Sequence, residues 1–462
     1  MSRETTRELA EFAAALRLED VPVDVRDSAK ALLLDALACA FAGHEGEETG
    51  QIGALASALG SSPESVVVGG EPMSLAGAVL MNGYLITAVT MCDVHRATLT
   101  HVTPEIVPPA LAIAARDDAS GADLLAALIA GLEVTTRIGL GLDYPAFRKR
   151  GWHGPGVVGP FGAAAAVGRL RGFDADTMAR AFGLAGSQSA GTFAAWGTPT
   201  VKWHQCRAAL SGLMAALLAE QDFAAARNFL TAPDGGLFST YAEGGLPELA
   251  TRNLGRHWEL QRISLRLWPA ATALQDVLTA LAGLEENIAF GDIARVRLAL
   301  PKTAFDMHGG FSTYRAKFEA LLSAHYVAAV YLRDRTLTLD RFEPACYDDP
   351  ALRRFAAERV EAVHDPGLGG GQAVVEIETA DGARHIARCD RTLGSPENPL
   401  SRAQVREKFR TYAAPALGEA GVDRIVAAID GLESFGSSRE PVSWLGAGEY
   451  APFDTPLRGY SG

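Results

Sequence analysis

The sequence predicts a mainly α-helical protein, in which an all-helical domain is joined to a smaller α+β domain. Three observations support this fold class. Apolar residues recur at helical spacing from residue 5 to about residue 260. Segments typical of β-strands appear after residue 260, and helical spacing returns after residue 396. We therefore assign residues 1–262 and 396–462 to the helical domain and residues 263–395 to the α+β domain.

The first helices follow from apolar spacing and from helix-ending residues. Residues 5–43 predict two helices separated by the turn VPVDV, with Gly43 as the C-cap. A further helix is predicted over residues 74–93, after a segment SVVVGG that fits a short strand or an extended link. Two other predicted helices cover residues 121–142 and the Ala- and Gly-rich segment after His153. Two more follow, one capped by Asp174 or Asp176 and one after the turn Thr198-Pro199-Thr200.

The α+β domain is predicted from alternation and turn residues. The segment LQRISLRLWPA favours β-structure, and residues 293–301 alternate as an edge strand would. Residues 373–389 predict a hairpin that turns at Asp381-Gly382. Residues 314–332 between these strands predict one helix. Residues 396–417 and 422–434 return to helix and are expected to rejoin the first domain.

Length, composition and charge limit the function. A chain of 462 residues with 48% hydrophobic and 21% charged residues is typical of a two-domain globular protein. A net charge of −13 argues against binding to nucleic acid or an anionic membrane surface. No apolar run reaches the roughly 18 to 20 residues of a membrane span, and the charged N-terminus is unlike a signal peptide. The five scattered Cys residues predict a cytoplasmic location without a disulfide or zinc framework.

The stretch 91–115 concentrates polar side chains ahead of an apolar run. Asp93, His95 and His101 fall within about ten residues. Because proline is favoured in the first turn of a helix, we predict that a helix begins near Pro109. Its N-terminus would favour an anion. An acid and two imidazoles at such a place predict proton transfer on a molecule that carries a carboxylate.

Two further polar clusters precede helices. His153 lies among glycine and proline residues, and Lys202 and His204 follow a Thr-Pro-Thr turn. These helix starts could point into one cleft with the first cluster. The sequence contains no GxGxxG segment and no Walker loop, so no nucleotide cofactor is expected.

Five segments, in this order, resemble the MmgE/PrpD family. They are DVHRATLTHVTPEIVPPALAIAA, GWHGPGVVGPFGAAAAVGRLRGFD, TPTVKWHQCRAALSGLMAALLAEQDF, AKF near residue 317 and SPENPLSRAQVREKF. The first looks like the family's D-x-H-x(5)-H-P-G segment. The family includes 2-methylcitrate dehydratases, cis-aconitate decarboxylases and iminodisuccinate epimerases. The resemblance covers nearly the whole chain and implies a helical domain with an α+β lid, a homodimer with a cleft between domains, and neither a metal nor an organic cofactor.

The resemblance also implies site residues. The family's acid, loop histidine and Gly-flanked histidine map to Asp93, His101 and His153. The family's lysine maps to Lys202, with His204 beside it.

The match continues into the α+β domain. Arg266 stands where the family often has a lysine, and the family's tyrosine corresponds to Tyr326 only across three extra residues. Two other departures are Val-Thr after His101 and the replacement of a Cys-Cys pair and a histidine by Ala270, Ala271 and Gln275. These departures bear on the substrate, since arginine binds a carboxylate in a more rigid, bidentate way than lysine does.

The family reactions break a bond next to a carboxylate through a carbanion-like or enolate-like state. Either His101 or His153 is predicted to be the base and the other the acid, with Asp93 orienting an imidazole. Lys202 and Arg266 are predicted to hold carboxylates. The remaining predicted substrate-binding residues are Thr98, His95, His204 and Tyr326.

Plainer roles are weighed beside these. Asp93 could cap a helix or pair with Arg96, and His95 and His204 could be supporting residues. A metal bound by the D-x-H pair is conceivable, but no clustered carboxylates complete such a site. The leading prediction is a cofactor-independent lyase, a dehydratase or decarboxylase, acting on a small di- or tricarboxylate. The alternatives are an epimerase of an amino-dicarboxylate such as iminodisuccinate and a non-catalytic relative that only binds.

Overall fold

The computed structural model describes residues 4–284, 288–310 and 312–446. Helices dominate this part of the chain, so the prediction of a mainly α protein is confirmed. The helices are α1 (Thr5–Ala15), α2 (Val23–Ala42), α3 (Thr49–Ala58), α4 (Leu75–Thr87), α5 (Thr103–Arg116), α6 (Gly121–Gly141), α7 (Tyr144–Lys149), α8 (Gly154–Leu170), α9 (Ala175–Gly186), α10 (Thr200–Glu220), α11 (Leu237–Ala242), α12 (Pro247–Thr251), α13 (Leu274–Ala282), α14 (Lys302–His308), α15 (Lys317–Leu321), α16 (Ala324–Asp334), α17 (Pro344–Tyr347), α18 (Pro350–Glu358), α19 (Arg402–Asp430) and α20 (Arg439–Ser443). The strands are β1 (Val94–His95), β2 (Ile263–Ser264), β3 (Ile293–Leu300), β4 (Val360–His364), β5 (Ala373–Thr379) and β6 (Arg384–Cys389).

The chain divides into two compact units. Unit 1 comprises the described residues up to Ile263 and those from Ser401 onward, and unit 2 comprises the described residues of Ser264–Leu400. Unit 1 is helical apart from short strands, whereas unit 2 contains helices and a four-stranded sheet.

Several helices of unit 1 begin at a side chain that accepts a hydrogen bond from the first turn. The N-cap residues Ser74, Ser120 and Asp174 accept from main-chain N–H groups three residues ahead. Asp174 is one of the two caps that the sequence predicted. Ser401 and Gln404 form a reciprocal capping box at the start of α19. These caps determine the residue at which each of these helices begins.

The core of unit 1 depends on close approach between α6, α8 and α10. A Cβ atom added at Gly162 would lie 1.9 Å from Oγ1 of Thr135 and 2.5 Å from the carbonyl oxygen of Gly131. A Cβ added at Gly212 would lie 2.3 Å from the Cβ of Ala163. The prediction of a buried Ala- and Gly-rich helix is therefore confirmed, because only small residues allow this contact.

Helix α6 forms over nearly the predicted residues, and it is strongly apolar. By length and composition it could cross a membrane, which corrects the expectation that no apolar run is long enough. Its apolar window is 94% buried inside the protein. Packing in the core of unit 1 accounts for this composition.

Helix α5 begins at Thr103, and the prediction of a start near Pro109 is wrong. Pro104 occupies the first turn, where its missing N–H costs nothing, but Pro108 and Pro109 lie inside the helix. Two helical hydrogen bonds are lost there. The carboxylate of Asp93 compensates at the helix start by accepting from the N–H groups of Val102 and Thr103.

Unit 2 contains a sheet in the order β4-β3-β5-β6. Strand β3 is parallel to β4 and antiparallel to β5, and β5 and β6 form the predicted hairpin, with Gly382 at a φ of +84° in the turn. The prediction of β3 as an edge strand is wrong. Its exposed face carries Arg295 and Arg297, which pair with Glu361 and Glu376 on the two neighbouring strands. A sheet covered on one face produces this alternation in an interior strand as well.

Two helix boundaries in the second half of the chain also differ from prediction. The predicted helix 314–332 is divided into α15 and α16, and the hydroxyl of Ser323 caps α16 by accepting from Tyr326 N–H. The two predicted closing helices meet as α19, with a kink at Gly418, whose φ is +66°. A glycine adopts this conformation without strain.

Candidate active site

Asp93 is a buried helix cap. Its carboxylate accepts hydrogen bonds from the N–H groups of Val102 (2.9 Å) and Thr103 (3.0 Å) and from the hydroxyl of Thr103. Burial raises the pKa of Asp93 to about 6, against the opposing effect of these hydrogen bonds. These contacts agree with the plainer role weighed for Asp93, a cap, and the orientation of an imidazole by its carboxylate stays a prediction.

His101 is oriented by the main chain of Asp93. Nδ1 of His101 lies 2.6 Å from the carbonyl oxygen of Asp93. A carbonyl only accepts, so Nδ1 carries a proton and donates it to this oxygen. The ring is half-buried. With Nδ1 protonated, Nε2 is the nitrogen that exchanges a proton: it acts as a base in the neutral ring and as an acid after it has taken up a proton.

His153 and His204 form a direct imidazole pair. Their Nδ1 atoms lie 2.9 Å apart, and both side chains are buried. One Nδ1 must donate and the other accept, so one ring presents an Nε2 lone pair and the other an Nε2–H group. Burial, together with the charges of His204, His101 and Arg148, lowers the pKa of His153 to about 3, and burial also lowers the pKa of His204. Both rings are therefore neutral at pH 7.

The two loops that carry His101 and His153 are in contact. A Cβ atom added at Gly154, the first residue of α8, would lie 2.5 Å from Oγ1 of Thr100. His101 follows Thr100 and His153 precedes Gly154, so each histidine is adjacent in sequence to one of the two residues in contact. Three imidazoles from separate parts of the sequence are brought together in unit 1.

Arg207 holds the segment that supports this pair. Its guanidinium donates to the carbonyl oxygens of Gln188 (2.9 Å), Ala190 (2.8 Å) and Gly156 (3.1 Å). The same segment receives the N–H of His153 at the carbonyl of Gly191 (3.0 Å). Sequence reasoning missed Arg207, although an arginine three residues after His204 in an apolar helix was a usable signal.

Glu105 is a second residue that the sequence analysis missed. It is completely buried, and neither carboxyl oxygen has a hydrogen-bond partner. Its carboxyl packs against α8, since a Cβ added at Gly159 would lie 2.5 Å from Cδ of Glu105. Burial, reinforced by the charge of Asp93, raises the pKa of Glu105 well above its ordinary range. Burial therefore favours the neutral acid form of this side chain.

Lys202 makes a contact with an acid inside unit 1. Its Nζ donates to Oε2 of Glu48 (2.9 Å), which also accepts from the hydroxyl of Tyr84 (2.8 Å). Lys202 and His204 are two residues apart on α10 and so project on opposite sides of the helix. This ion pair does not match the predicted carboxylate clamp, because the lysine charge is balanced by the protein.

His95 and Thr98 contact each other. Nδ1 of His95 lies 2.9 Å from Oγ1 of Thr98, and Nε2 of His95 lies 3.4 Å from Oε2 of Glu259. The two side chains are only 1% and 3% exposed. These contacts support the loop before α5 and match the supporting role weighed for His95 more closely than contact with a substrate.

The two predicted residues of unit 2 are buried. A guanidinium nitrogen of Arg266 donates to the carbonyl of Ala270 (3.3 Å), and the side chain is 2% exposed. Tyr326 has no exposed surface, and its hydroxyl donates to the carbonyl of Arg341. Its ring lies 4.7 Å from that of Tyr314. Tyr326 is thus packed in the core of unit 2, and its assignment to substrate binding stays a prediction.

No group of three or more His, Cys, Asp or Glu side chains that could hold a metal is found in the part of the chain that the structure describes. The polar atoms gathered around His101 and His153 are instead imidazoles, main-chain carbonyls and hydroxyls. Imidazoles and hydroxyls are groups that can donate and accept protons.

The fold and the histidine cluster belong to a recognisable class. The MmgE/PrpD N-terminal domain matches residues 7–249 and the MmgE/PrpD C-terminal domain matches residues 268–433. The chain therefore belongs to the MmgE/PrpD family, which confirms the resemblance inferred from sequence.

Named relatives extend over nearly the whole chain. It is 28% identical over 463 aligned positions to a cis-aconitate decarboxylase-like protein of Aspergillus oryzae, covering 93% of this chain and 94% of that protein. It is 26% identical to cis-aconitate decarboxylase of Aspergillus terreus, covering 93% of each. It is also 26% identical to human cis-aconitate decarboxylase, covering 94% of this chain and 92% of the human protein.

Proposed function

We propose that this protein is a lyase that decarboxylates a small unsaturated tricarboxylate of the cis-aconitate type. The observation that carries the proposal is the His153–His204 pair next to His101, in a chain whose relatives are named cis-aconitate decarboxylases. Dehydration of a hydroxylated tricarboxylate is the other lyase reaction open to the same groups. The protein is also proposed to be a cytoplasmic homodimer.

The reaction needs a proton at one carbon. Loss of CO₂ from the methylene carboxylate leaves an electron pair, which moves through the double bond to the carbon beside another carboxylate. That carbon takes up one proton, so that atoms and charge balance. An imidazole within about 3 Å of the carbon can deliver it.

His101 is suited to the delivery. It first takes up a proton from solvent at Nε2, and the imidazolium then gives that proton to the carbon and returns to the neutral ring; the carbonyl of Asp93, which accepts from Nδ1–H, stabilises the ring in both forms. The His153–His204 pair supplies one Nε2–H donor and one Nε2 acceptor to the same neighbourhood. Both rings of the His153–His204 pair fill these donor and acceptor roles as neutral imidazoles.

The test is product identification by proton and carbon NMR in deuterated water. The purified protein is incubated separately with cis-aconitate, citrate, methylcitrate and iminodisuccinate. The proposal expects cis-aconitate to yield CO₂ and a product with a terminal methylene and one deuterium beside a carboxylate. Exchange of hydrogen for deuterium in iminodisuccinate, without any other product, would contradict it and indicate the epimerase. No turnover of any of the four compounds would contradict both.

A further inference from the structure

We propose that Arg148 is a substrate-binding residue that receives a carboxylate beside the His153–His204 pair. The inference rests on the proposed function, because it assigns a role at the same site. No segment of the family resemblance pointed to Arg148.

Arg148 is held on an aromatic surface. It lies in α7, and its Cζ atom is 3.5 Å from the ring centroid of Phe193. Phe193 stacks on Trp196, with ring planes 8° apart. The main-chain N–H of Phe193 donates to the carbonyl of Gly151 (2.7 Å). The ring that supports the guanidinium is thus fixed to the segment that leads to His153.

The same ring connects Arg148 to the histidines. The centroids of the Phe193 and His153 rings are 6.1 Å apart in an edge-to-face arrangement, and those of His153 and His204 are 5.1 Å apart. The charge of Arg148 is also one of the causes of the low pKa of His153. All these residues belong to unit 1, so the arrangement does not depend on unit 2.

The guanidinium of Arg148 has hydrogen-bonding capacity to spare. Among the described residues it takes part in no ion pair and donates no hydrogen bond, and its side chain is half-buried. Arg150, two residues further on, lies 3.6 Å from a carboxylate oxygen of Glu243. An unpaired arginine is notable in a chain with a net charge of −13. Its five N–H donors match a carboxylate in a bidentate way.

A packing role alone is the competing explanation. A cation on the face of a phenylalanine stabilises the folded protein without any ligand. Such a role predicts an effect of substitution on stability and none on substrate binding. A carboxylate-binding role predicts that substitution raises KM and leaves the unfolding temperature nearly unchanged.

The experiment compares Arg148→Met, Arg148→Lys and the matched control Arg150→Met. Methionine keeps an apolar stem over Phe193, and lysine keeps the charge but not the bidentate fork. We expect Arg148→Met to raise KM by about tenfold or more with kcat nearly unchanged, the signature of lost ground-state binding. Arg148→Lys should fall between this variant and the unsubstituted protein, and Arg150→Met should stay within about twofold. An unchanged KM in Arg148→Met, or an equal rise in Arg150→Met, would overturn the inference.

A binding measurement separates this inference from the proposed reaction. Tricarballylate, a saturated tricarboxylate that cannot undergo the reaction, is titrated calorimetrically into each protein. Binding that weakens about tenfold in Arg148→Met and not in Arg150→Met supports the inference even if cis-aconitate is not decarboxylated. Turnover of cis-aconitate with no effect of Arg148→Met on KM or on tricarballylate binding leaves the reaction in place and refutes the inference. Absence of both turnover and binding in the unsubstituted protein refutes both.

Discussion

At the scale of single residues, the 2.9 Å contact between the Nδ1 atoms of His153 and His204 limits what each ring can do. A proton added to either ring places a charge in a buried pair, and a proton added at the accepting Nδ1 also breaks the contact. The pair therefore stays neutral at pH 7, and proton uptake falls to His101, whose Nδ1–H already has a carbonyl partner.

The low pKa of His153 predicts a pH-dependent stability. Burial lowers this pKa from 6.5 to about 3, so between these values the unfolded chain binds a proton that the folded chain excludes. Stability is lost as the pH falls, by at most about 1.4 kcal/mol per pH unit. We expect the free energy of unfolding of His153→Asn, measured with urea from pH 7 to pH 4, to fall less steeply than that of the unsubstituted protein. The exposed control His364→Asn should not change the slope; identical slopes for all three proteins would contradict the prediction.

Glu105 predicts the opposite dependence. Its folded pKa is raised above 4.5 because of burial, so its cost to stability appears as the pH rises through the unfolded value. Each unit by which the pKa is raised corresponds to about 1.4 kcal/mol at high pH. Glu105→Gln resembles the neutral acid in shape and should unfold at higher urea concentration than the unsubstituted protein at pH 8, with the difference shrinking toward pH 4. A difference that does not depend on pH would count against a neutral buried acid.

The histidines could be predicted from sequence and their partners could not. His101 and His153 stand out because proline and glycine surround them ahead of apolar helices. Arg148 and Arg207 contact an aromatic ring and main-chain carbonyls that lie between 17 and 51 residues away in the sequence. Such partners leave no local pattern, because any residue has a carbonyl and the ring's position depends on the fold.

At the scale of elements, the segment 188–191 connects the first turn of α8 to α10 through Arg207. Arg207→Met removes the guanidinium, so its carbonyl partners can hydrogen-bond only to solvent. The segment whose Gly191 carbonyl accepts from the N–H of His153 then loses this support. We expect kcat to fall by about tenfold or more, because a small displacement of a catalytic group is costly. Amide hydrogen exchange in 188–193 should accelerate. The control Arg180→Met, which removes a contact with Asp222, should leave kcat and the exchange rate unchanged. A normal kcat together with fast exchange in Arg207→Met would show that the segment does not position the histidine pair.

Helices α2 and α19, from the two ends of unit 1, are joined by a buried ion pair. Nζ of Lys408 lies 2.6 Å from Oδ1 of Asp35, and both side chains are 1% exposed. Lys408→Met leaves the carboxylate buried without this cation, and we expect a loss of about 3–5 kcal/mol in the free energy of unfolding. The double variant Asp35→Leu, Lys408→Met should regain most of it. A single variant as stable as the original protein would show that the pair is not coupled to folding.

Element boundaries were predictable where the cap lies next to the helix and not where it is distant. Asp174 and Ser401 precede α9 and α19 directly. The start of α5 was misplaced because Asp93, which caps it, lies ten residues before Thr103. Strand β3 was wrongly predicted to be an edge strand for a different reason. A charged face occurs both in edge strands and in interior strands, so it does not reveal whether other strands flank β3.

At the scale of the whole molecule, the chain forms most of unit 1, then unit 2, and returns to unit 1 at Ser401. The three histidines belong to unit 1, whereas Arg266 and Tyr326 belong to unit 2. The catalytic proposal is therefore made on unit 1 alone. It assigns the reaction to imidazoles contributed by three separate segments, ahead of α5, ahead of α8 and within α10.

The most direct test of this account is the turnover of cis-aconitate by His153→Ala beside the control His364→Ala, with folding checked by circular dichroism. The account predicts that His153→Ala lowers kcat by about a hundredfold or more, as expected for loss of a preorganised hydrogen-bonding group at the reacting atoms, while His364→Ala retains the original rate. Equal rates for the two variants, with both folded, would contradict it.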